Sequence, residues 1–530
     1  MSRIAILFIS LVTAGITVAY PVADTDLFWH LASGEWMVRA HALLASDPFS
    51  ISAYGHEWIN VHWLYQLIML FVYSTAGFAG IVFLKSIITA TTAYLLLSIR
   101  PADMRSMLIR GAVIVSALFF IRHQLADRPT LFTLLFIALF INFFERYRTD
   151  GSAKWLIALI PVEILWANIQ GLFLLGPAIA FCYFLGESLT AFISRRKPML
   201  FRLEPTGNSC NSIRHTAVLT LLLCIVPVIN PNGMDVYSLA LRLFERILPF
   251  TANAFSMNVA ENVPPSLLSS NGSNELLFYK VFGLLTLLSF IPTRQNLSAG
   301  RIILFTLFLF LSAIAFRNIQ LYIIVCTAII FTNIDDAADH FRIRASLSVI
   351  LFTLTISSVL IYRATENVER DPANFTAPRT FPFGAADYIA SCNVPGNLFN
   401  SVQDGGFIAW RLYPAQRSFV DGRLILRSSQ FFNTYLTILD TPVLFNEYSR
   451  NFGITKVLLP TNPDTRYYKL VKAMNADTAW KTTYKDNSHI VYTRKNLSDS
   501  LLTKRIHEEN LRTLKNEYVR RNECLKLSSW

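Results

Sequence analysis

Residues 63–97 read WLYQLIMLFVYSTAGFAGIVFLKSIITATTAYLLL. The run is apolar throughout and longer than the roughly 20 residues that cross a bilayer as a helix. Backbone groups inside lipid must be paired within their own segment, so a run of this kind is helical. The stretch Ala76-Gly77-Phe78-Ala79-Gly80 interrupts it. That break predicts a short helix followed by a full one.

Comparable stretches recur on both sides, with short polar breaks between them. They are Ile4–Tyr20, Met107–Ile121, Thr130–Phe144, Trp155–Asn168, Leu172–Ile193, Thr216–Ile229, Leu276–Ile291, Ile302–Ala315, Ile319–Phe331 and Ala345–Ile361. Composition agrees: of 530 residues only 15% are charged, where soluble domains carry about 25%. The mean hydropathy is +0.41. The opening Met1-Ser2-Arg3 and the apolar run behind it have the outline of a signal peptide, but no small-x-small cleavage site follows, so an uncleaved first span is expected.

The net charge of +12 does not point to nucleic acid, because no basic run is interleaved with exposed aromatics. Membrane orientation explains the cations instead. Arg100, Arg105 and Arg110 fall in one loop; Arg146, Arg148 and Lys154 in a second; Arg195, Arg196, Lys197, Arg202 and Arg214 in a third; Arg294 and Arg301 in a fourth; Arg342 and Arg344 in a fifth. Cationic loops stay cytoplasmic. All five share one side if residues 63–97 cross once, with the piece near Trp63–Tyr73 shallow or re-entrant. About eleven crossings result, with a cytoplasmic N-terminus and an external C-terminal domain. Twelve full spans would break the charge pattern.

Two external loops, 21–62 and 230–274, are long and carry apolar residues at helical spacing: Phe28, Leu31 and Met37 in the first, Leu239, Leu243 and Ile247 in the second. That spacing suits helices lying in the membrane interface. Residues 366–495 read as a soluble α/β domain. Its strand-like runs are Leu398–Phe399, Phe407–Leu412, Ser418–Val420, Thr455–Leu459 and Ile490–Tyr492, and a helix covers Ala385–Ser391. A charged tail of helical pattern, 496–530, follows. The six cysteines form no metal pattern; Cys392 and Cys524 could pair in an oxidising compartment.

The first loop opens Asp24-Thr25-Asp26-Leu27-Phe28-Trp29-His30-Leu31. Two carboxylates two residues apart can hold a divalent cation, magnesium or manganese, through oxygen. One can instead act as general base toward a hydroxyl, or cap a helix. This loop resembles that of a family of bacterial membrane proteins related to GT-C glycosyltransferases, whose pattern reads D-x-D-x-W-W-H-L-x-x-G, then P-x-x-D-x-F-S, G-x-x-W and W-L. Here Asp24, Asp26, Trp29, His30, Leu31, Gly34, Asp47, Phe49, Ser50, Gly55, Trp58, Trp63 and Leu64 supply it; Phe28 and Leu44 depart from it. Further on, Arg128-Pro129, Trp166–Gly171 with Asn168, Asn230–Gly233, Arg317-Asn318, Asp404-Gly405-Gly406 and Asp421-Gly422-Arg423 continue the likeness. Gln170 stands where the family has His.

The resemblance, distantly shared with oligosaccharyltransferase catalytic subunits, implies a GT-C-like polytopic α-helical membrane fold with residues 1–365 as its transmembrane domain. It implies transfer of a sugar from a polyprenyl-phosphate donor to a glycan, lipid or protein acceptor on the outer face of a bacterial inner membrane, with the C-terminal domain in the periplasm. Asp24 or Asp26 would be catalytic or metal-binding. Trp29, His30, Asp47, His62, Asn168, Gln170, Asn318, Asp404, Asp421 and Arg423 would line the substrates. Arg128 and Arg317 would meet the donor phosphate, to which the guanidinium fork is suited; snorkelling to lipid headgroups is the plainer reading of each. Glu261, or Glu245, matches by position an acidic residue of a late outer loop. The W-W-D-Y-G motif of oligosaccharyltransferases is missing at Gln403–Gly406, so asparagine-linked transfer does not follow. The other class of function is binding or translocation of a lipid-linked glycan without transfer, and the change at Gln170 leaves room for a silent scaffold.

Overall fold

The computed structural model describes residues 2–194, 209–248, 254–268, 274–293, 297–336, 345–366, 375–377, 380–497 and 504. Arg195, Arg196, Lys197, Arg202, Arg294, Arg342, Arg344, Cys524 and nearly all of the 496–530 tail lie outside them. The helices up to residue 365 are α1 (Arg3–Thr17), α2 (Asp26–Ala40), α3 (Trp63–Leu97), α4 (Met104–Ile121), α5 (Thr130–Asp150), α6 (Lys154–Ile157), α7 (Leu159–Ile169), α8 (Leu175–Ser194), α9 (Ser209–Ile225), α10 (Asp235–Ile247), α11 (Ala254–Asn258), α12 (Asn274–Ser289), α13 (Ala299–Ile314), α14 (Ile319–Asp336) and α15 (Ala345–Thr365). Two compact units result: Met1–Val22 with Ile59–Thr376, and Ala23–Trp58 with Ala377–Trp530.

In the first unit, seven of the described helices are long and apolar enough to cross a membrane, and α1 and α13 are shorter apolar helices. The chain is a multi-pass membrane protein. Its centre is α14, with 89% of its apolar window buried, whereas α9 and α15 bury only 22% and turn their apolar faces outward. Residues 63–97 form one run broken at Gly77, which takes φ 60° and ψ −157°. Only glycine adopts that conformation freely, so the break falls where the sequence places it. Ser2 and Asp103 start α1 and α4 by accepting hydrogen bonds from Ala5 N (3.2 Å) and Ser106 N (2.8 Å).

Polar contacts gather at two opposite ends of these helices. At one end, Arg301 donates to Glu145 (2.6 and 3.0 Å) and pairs with Asp336; Arg100 meets Glu145 (3.0 Å) and Asp336; Arg110 pairs with Asp335; Arg148 reaches Glu187 at 3.5 Å. Four of the cations assigned to cytoplasmic loops thus share one ionic cluster with carboxylates of α5, α8 and α14. At the other end, Tyr20 donates to the carbonyls of Arg122 (2.7 Å) and Leu125 (2.9 Å), and Arg363 to that of Ala19 (3.1 Å). The ends of α1, α4 and α15 are thereby tied together where the chain leaves for the second unit. The second long loop is helical where its spacing predicts, in α10, which buries Val236, Leu239 and Ala240 while Leu243 and Ile247 are partly exposed.

The second unit adds α16 (Phe383–Ser391), β1 (Asn397–Asn400), α17 (Gly405–Leu412), α18 (Ser429–Asp440), α19 (Phe445–Asn451), β2 (Ile454–Pro460), α20 (Tyr468–Ala476), β3 (Trp480–Lys485) and β4 (His489–Arg494). The sheet order is β1-β2-β4-β3, with β1 and β2 parallel and the other pairs antiparallel. Three of the expected strands are present. Phe407–Leu412, read as a strand, is helical, because a short apolar run has no periodicity to decide its type. Ser418–Val420 forms no strand beyond a single bridge from Ser418 to Ser50. The strand β3 went unread: Lys481, Thr482 and Lys485 are exposed, and such a polar strand protects a sheet edge.

The first loop belongs to this unit, not to the membrane part. Its helix α2 buries Leu27 to Gly34 and Met37. Phe28 is fully buried among Phe381 (4.6 Å), Phe407 (4.9 Å) and Trp410 (5.1 Å). Edge-to-face rings of this kind add about 0.5–1.5 kcal/mol beyond the area they bury. The following segment folds back through Asp47 N to His56 O (3.0 Å) and Trp58 N to Ala45 O (2.8 Å). It then pairs Ile51 N with Ser418 O (2.8 Å) and Ser418 N with Phe49 O (3.1 Å).

Candidate functional site

In the first unit, three residues far apart in sequence converge. Glu261 accepts from Arg128 Nη1 at 2.6 Å and from Arg317 Nη2 at 3.0 Å. Arg128 precedes α5, Arg317 sits in the turn Phe316–Asn318 before α14, and Glu261 lies between α11 and α12. The backbone holds them: Phe316 N donates to Val263 O (3.1 Å), and Arg317 Nη1 reaches Asn262 Oδ1 (3.4 Å). Under Arg128, Asp127 pairs with Lys85 of α3 at 3.0 Å, both side chains being 1% exposed, and Tyr65 donates to the Asp127 carbonyl at 2.8 Å. Lys85 and Asp127 were not singled out by the sequence reading, although a single cation in a 35-residue apolar helix is a signal in itself.

Burial pushes the pKa of Glu261 up, but Arg128 first and Arg317 second outweigh it, and the carboxyl is held below its usual range. Two guanidinium groups and one carboxylate make up this trio. Its members are 26% to 42% exposed, so an anion can reach them. The neighbouring polar residues are engaged internally. His62 Nε2 lies 2.8 Å from Gln170 Oε1, Trp63 donates to Asn168 (2.9 Å), and Asn318 donates to the Leu311 carbonyl (2.8 Å). Glu245, the positional alternative to Glu261, is in α10.

In the second unit, the two aspartates differ. Asp24 is buried, and its Oδ1 accepts from Asp26 N at 2.9 Å, which starts α2. Asp26 occupies the first turn, half-buried, and accepts from Trp29 Nε1 at 3.1 Å. A Cβ on Gly422 would stand 2.0 Å from Asp26 Oδ1, so the D-G-R segment is the wall against which that carboxylate rests. Gly422 does not have positive φ; close approach, not a left-handed turn, requires it. The same holds in Asp404-Gly405-Gly406, where a Cβ would meet Val420 O at 1.9 Å and Thr25 O at 2.9 Å. That segment opens α17 and is no tight turn.

Five of the polar residues expected to line substrates are buried inside this unit. Arg423 lies between Asp421 (2.5 and 3.1 Å) and Asp47 (2.8 Å), with all three side chains at most 1% exposed. Its guanidinium also faces Trp58 at 4.8 Å and Phe49 at 5.2 Å. Arg427 extends the lock to Ser50 (2.6 Å) and Ser52 (2.9 Å). Asp404 accepts from Ser401 (2.6 Å) and meets His489 at 3.2 Å. His30 is 1% exposed. Arg423, through Asp47 and Asp421, and Arg427, through Ser50 and Ser52, fasten the first loop to the domain.

Burial disfavours the His489 imidazolium, but the Asp404 carboxylate outweighs it and lifts the ring above its ordinary value of about 6.5. The stabilisation from this pair is full below that value and fades as pH rises through the lifted one. Asp404→Asn is expected to abolish this alkaline loss, read as the slope of the unit's thermal midpoint from about pH 6 to 9.

Among the described residues no group of three or more His, Cys, Asp or Glu side chains gathers as metal ligands. Asp24 and Asp26 fit a divalent cation only as part of a shell completed by other oxygens, such as phosphate, which is how magnesium is commonly held.

No protein-family model and no curated protein matches the chain. Solved structures do. The archaeal oligosaccharyltransferase AglB from Archaeoglobus fulgidus, in complex with an inhibitory peptide and a dolichol-phosphate, superposes with a TM-score of 0.56 at 10% identity. The match covers 94% of this chain and 74% of that one. The Archaeoglobus fulgidus oligosaccharyltransferase in complex with Zn and sulfate gives a TM-score of 0.51 at 10% identity, over 93% and 73%. Its apo form gives 0.50 at 10% identity, over 94% and 75%. At this identity the likeness is one of fold.

Proposed function

We propose that the protein is a membrane glycosyltransferase that moves a sugar from a polyprenyl-phosphate-linked donor to an acceptor on the outer face of the membrane. The observation that carries the reading is the Arg128–Glu261–Arg317 cluster. Two partly exposed guanidinium groups share one carboxylate at a helix end, and their forked donors suit a lipid phosphate. The fold likeness supports the choice of donor, since one of the matching structures holds a dolichol-phosphate and a peptide. On this reading α1, α3, α4, α5, α6 with α7, α8, α9, α12, α13, α14 and α15 make eleven crossings. The ionic cluster of Arg100, Arg110, Arg148 and Arg301 is then cytoplasmic, and the second unit lies in the periplasm of a bacterial inner membrane.

In the reaction, an acceptor oxygen attacks the anomeric carbon, the bond from that carbon to the phosphate oxygen breaks, and the acceptor proton passes to Asp26. Asp24 positions Asp26 through the backbone hydrogen bond that begins α2. Arg128 and Arg317 stabilise the charge that accumulates on the departing phosphate. A divalent cation on Asp24 and Asp26 would supply further charge neutralisation.

Membranes carrying the protein and supplied with polyprenyl-phosphate sugars test this. Arg128→Ala and Arg317→Ala are each expected to lower transfer about 10- to 100-fold, the range for a lost charge-assisted hydrogen bond. Binding of the donor with no turnover in the unaltered protein would instead establish the binding or translocation reading. Unchanged transfer in both variants would remove the cluster from the mechanism.

A further inference from the structure

A second lipid-facing feature lies on α4 and α15, away from the residues used above. Ser116, Phe119, Leu354, Thr355, Ser358 and Tyr362 line a groove of about 390 Å³ between the two helices. It opens toward lipid: Leu354 is 59% and Ile361 63% exposed on the same helix. Walls of aromatic and aliphatic groups with a few hydroxyls suit an acyl chain better than water, because apolar surface is favoured against hydrocarbon.

At the outer mouth stands Arg122. Its guanidinium lies over the rings of Phe119 (4.2 Å) and Tyr362 (4.9 Å). It donates to the Phe119 carbonyl and to the Tyr362 hydroxyl, both at 2.9 Å. An arginine has five N–H donors in a fixed fork, so these bonds orient the group without exhausting it. Among the described residues Arg122 has no carboxylate partner. The nearby acids are engaged elsewhere: Glu366 pairs with Arg363, and Glu275 accepts from Gln124 at 3.4 Å. A cation fixed at the end of an apolar groove, at the depth where a spanning helix ends, is complementary to a lipid with an anionic headgroup.

We propose that this groove is a binding site for one anionic phospholipid, with an acyl chain between α4 and α15 and the headgroup phosphate on Arg122. The site is independent of the transferase reading.

The full-length protein, purified in mild detergent, is examined by native mass spectrometry and by extraction of the retained lipid. The unaltered protein is expected to keep one anionic phospholipid. Arg122→Gln, which removes the charge, and Ser358→Trp, which fills the groove without touching Arg122, are each expected to reduce its occupancy about tenfold. Thermal unfolding of each variant establishes that it is folded. Equal retention in both folded variants, equal retention of zwitterionic lipid, or a polyprenyl phosphate in place of the phospholipid would overturn the proposal.

Discussion

Replacing Arg423 with alanine is expected to destabilise the unit built from residues 23–58 and the C-terminal domain by about 3–5 kcal/mol, the usual consequence of breaking a buried ion pair by deleting one member. Arg423 joins the two sides of the lock, pairing with Asp421 at 2.5 Å and with Asp47 at 2.8 Å, and these three side chains are at most 1% exposed. Without it two carboxylates remain buried close together, and each must either take up a proton or draw water into the core. Arg423→Lys keeps the charge but loses the bidentate fork, so an intermediate loss is expected. The acid limb has a defined sign. Burial opposes ionisation of Asp421, but Arg423 and then Arg427 outweigh it and hold the carboxyl below its ordinary range. A depressed value means stability that is present above the unfolded acidity constant of about 3.9 and lost as pH falls through the folded one. Limited proteolysis across the thermal transition reads both effects, with cleavage in the 42–58 segment as the first sign. An Arg423→Ala protein as resistant as the original, at neutral and at acid pH, would show that the loop is held without the Arg423 lock, by the Phe28 ring cluster, Arg427 and the backbone bonds to Ser418.

The membrane helices were legible because lipid imposes one rule, internal pairing of the backbone, on every crossing segment. Even the break at Gly77 could be read, since glycine is the residue that such a conformation requires. The cationic loops were legible for a related reason, and Arg100, Arg110, Arg148 and Arg301 do meet at one end. What sequence could not supply was which acids they meet, because Glu145 of α5 and Asp335 and Asp336 of α14 are brought together only by packing. That the first loop packs with the C-terminal domain was hidden for a physical reason as well. An amphipathic helix buries its apolar side equally well against lipid or against protein, and periodicity does not distinguish them. Phe28 and Met37 have the spacing of an interfacial helix, yet Phe28 enters a cluster of rings from the C-terminal domain. Asp47, Asp421 and Arg423 stand in motifs, and the structure shows them paired with one another; a motif marks residues that matter without saying whether they fasten a fold or touch a ligand. Glu261, matched on sequence by position alone, is the group that joins Arg128 to Arg317.

Asp26→Asn is expected to lower transfer by about 10²–10⁴, the contribution typical of a positioned general base, with little change in stability, because asparagine can still accept from Trp29 Nε1. The more discriminating variant is Gly422→Ala. The backbone at residue 422 accommodates alanine, but the new methyl group would lie 2.0 Å from Asp26 Oδ1 and 3.5 Å from Trp29 Nε1. The carboxylate is the movable member of that contact, so it must rotate away from the wall. Displacement of a catalytic group by about 1 Å is enough to cost about 100-fold. Transfer by Gly422→Ala is therefore expected to fall about 100-fold while the protein stays folded and donor binding is unchanged. Adding the substitution to Asp26→Asn should then cause no further loss, since both act on one carboxylate. Independent, multiplying losses in the double variant would place the effect of Gly422 elsewhere than on Asp26. Full activity of Asp26→Asn would pass the base role to Asp24, whose Oδ1 already holds the Asp26 backbone.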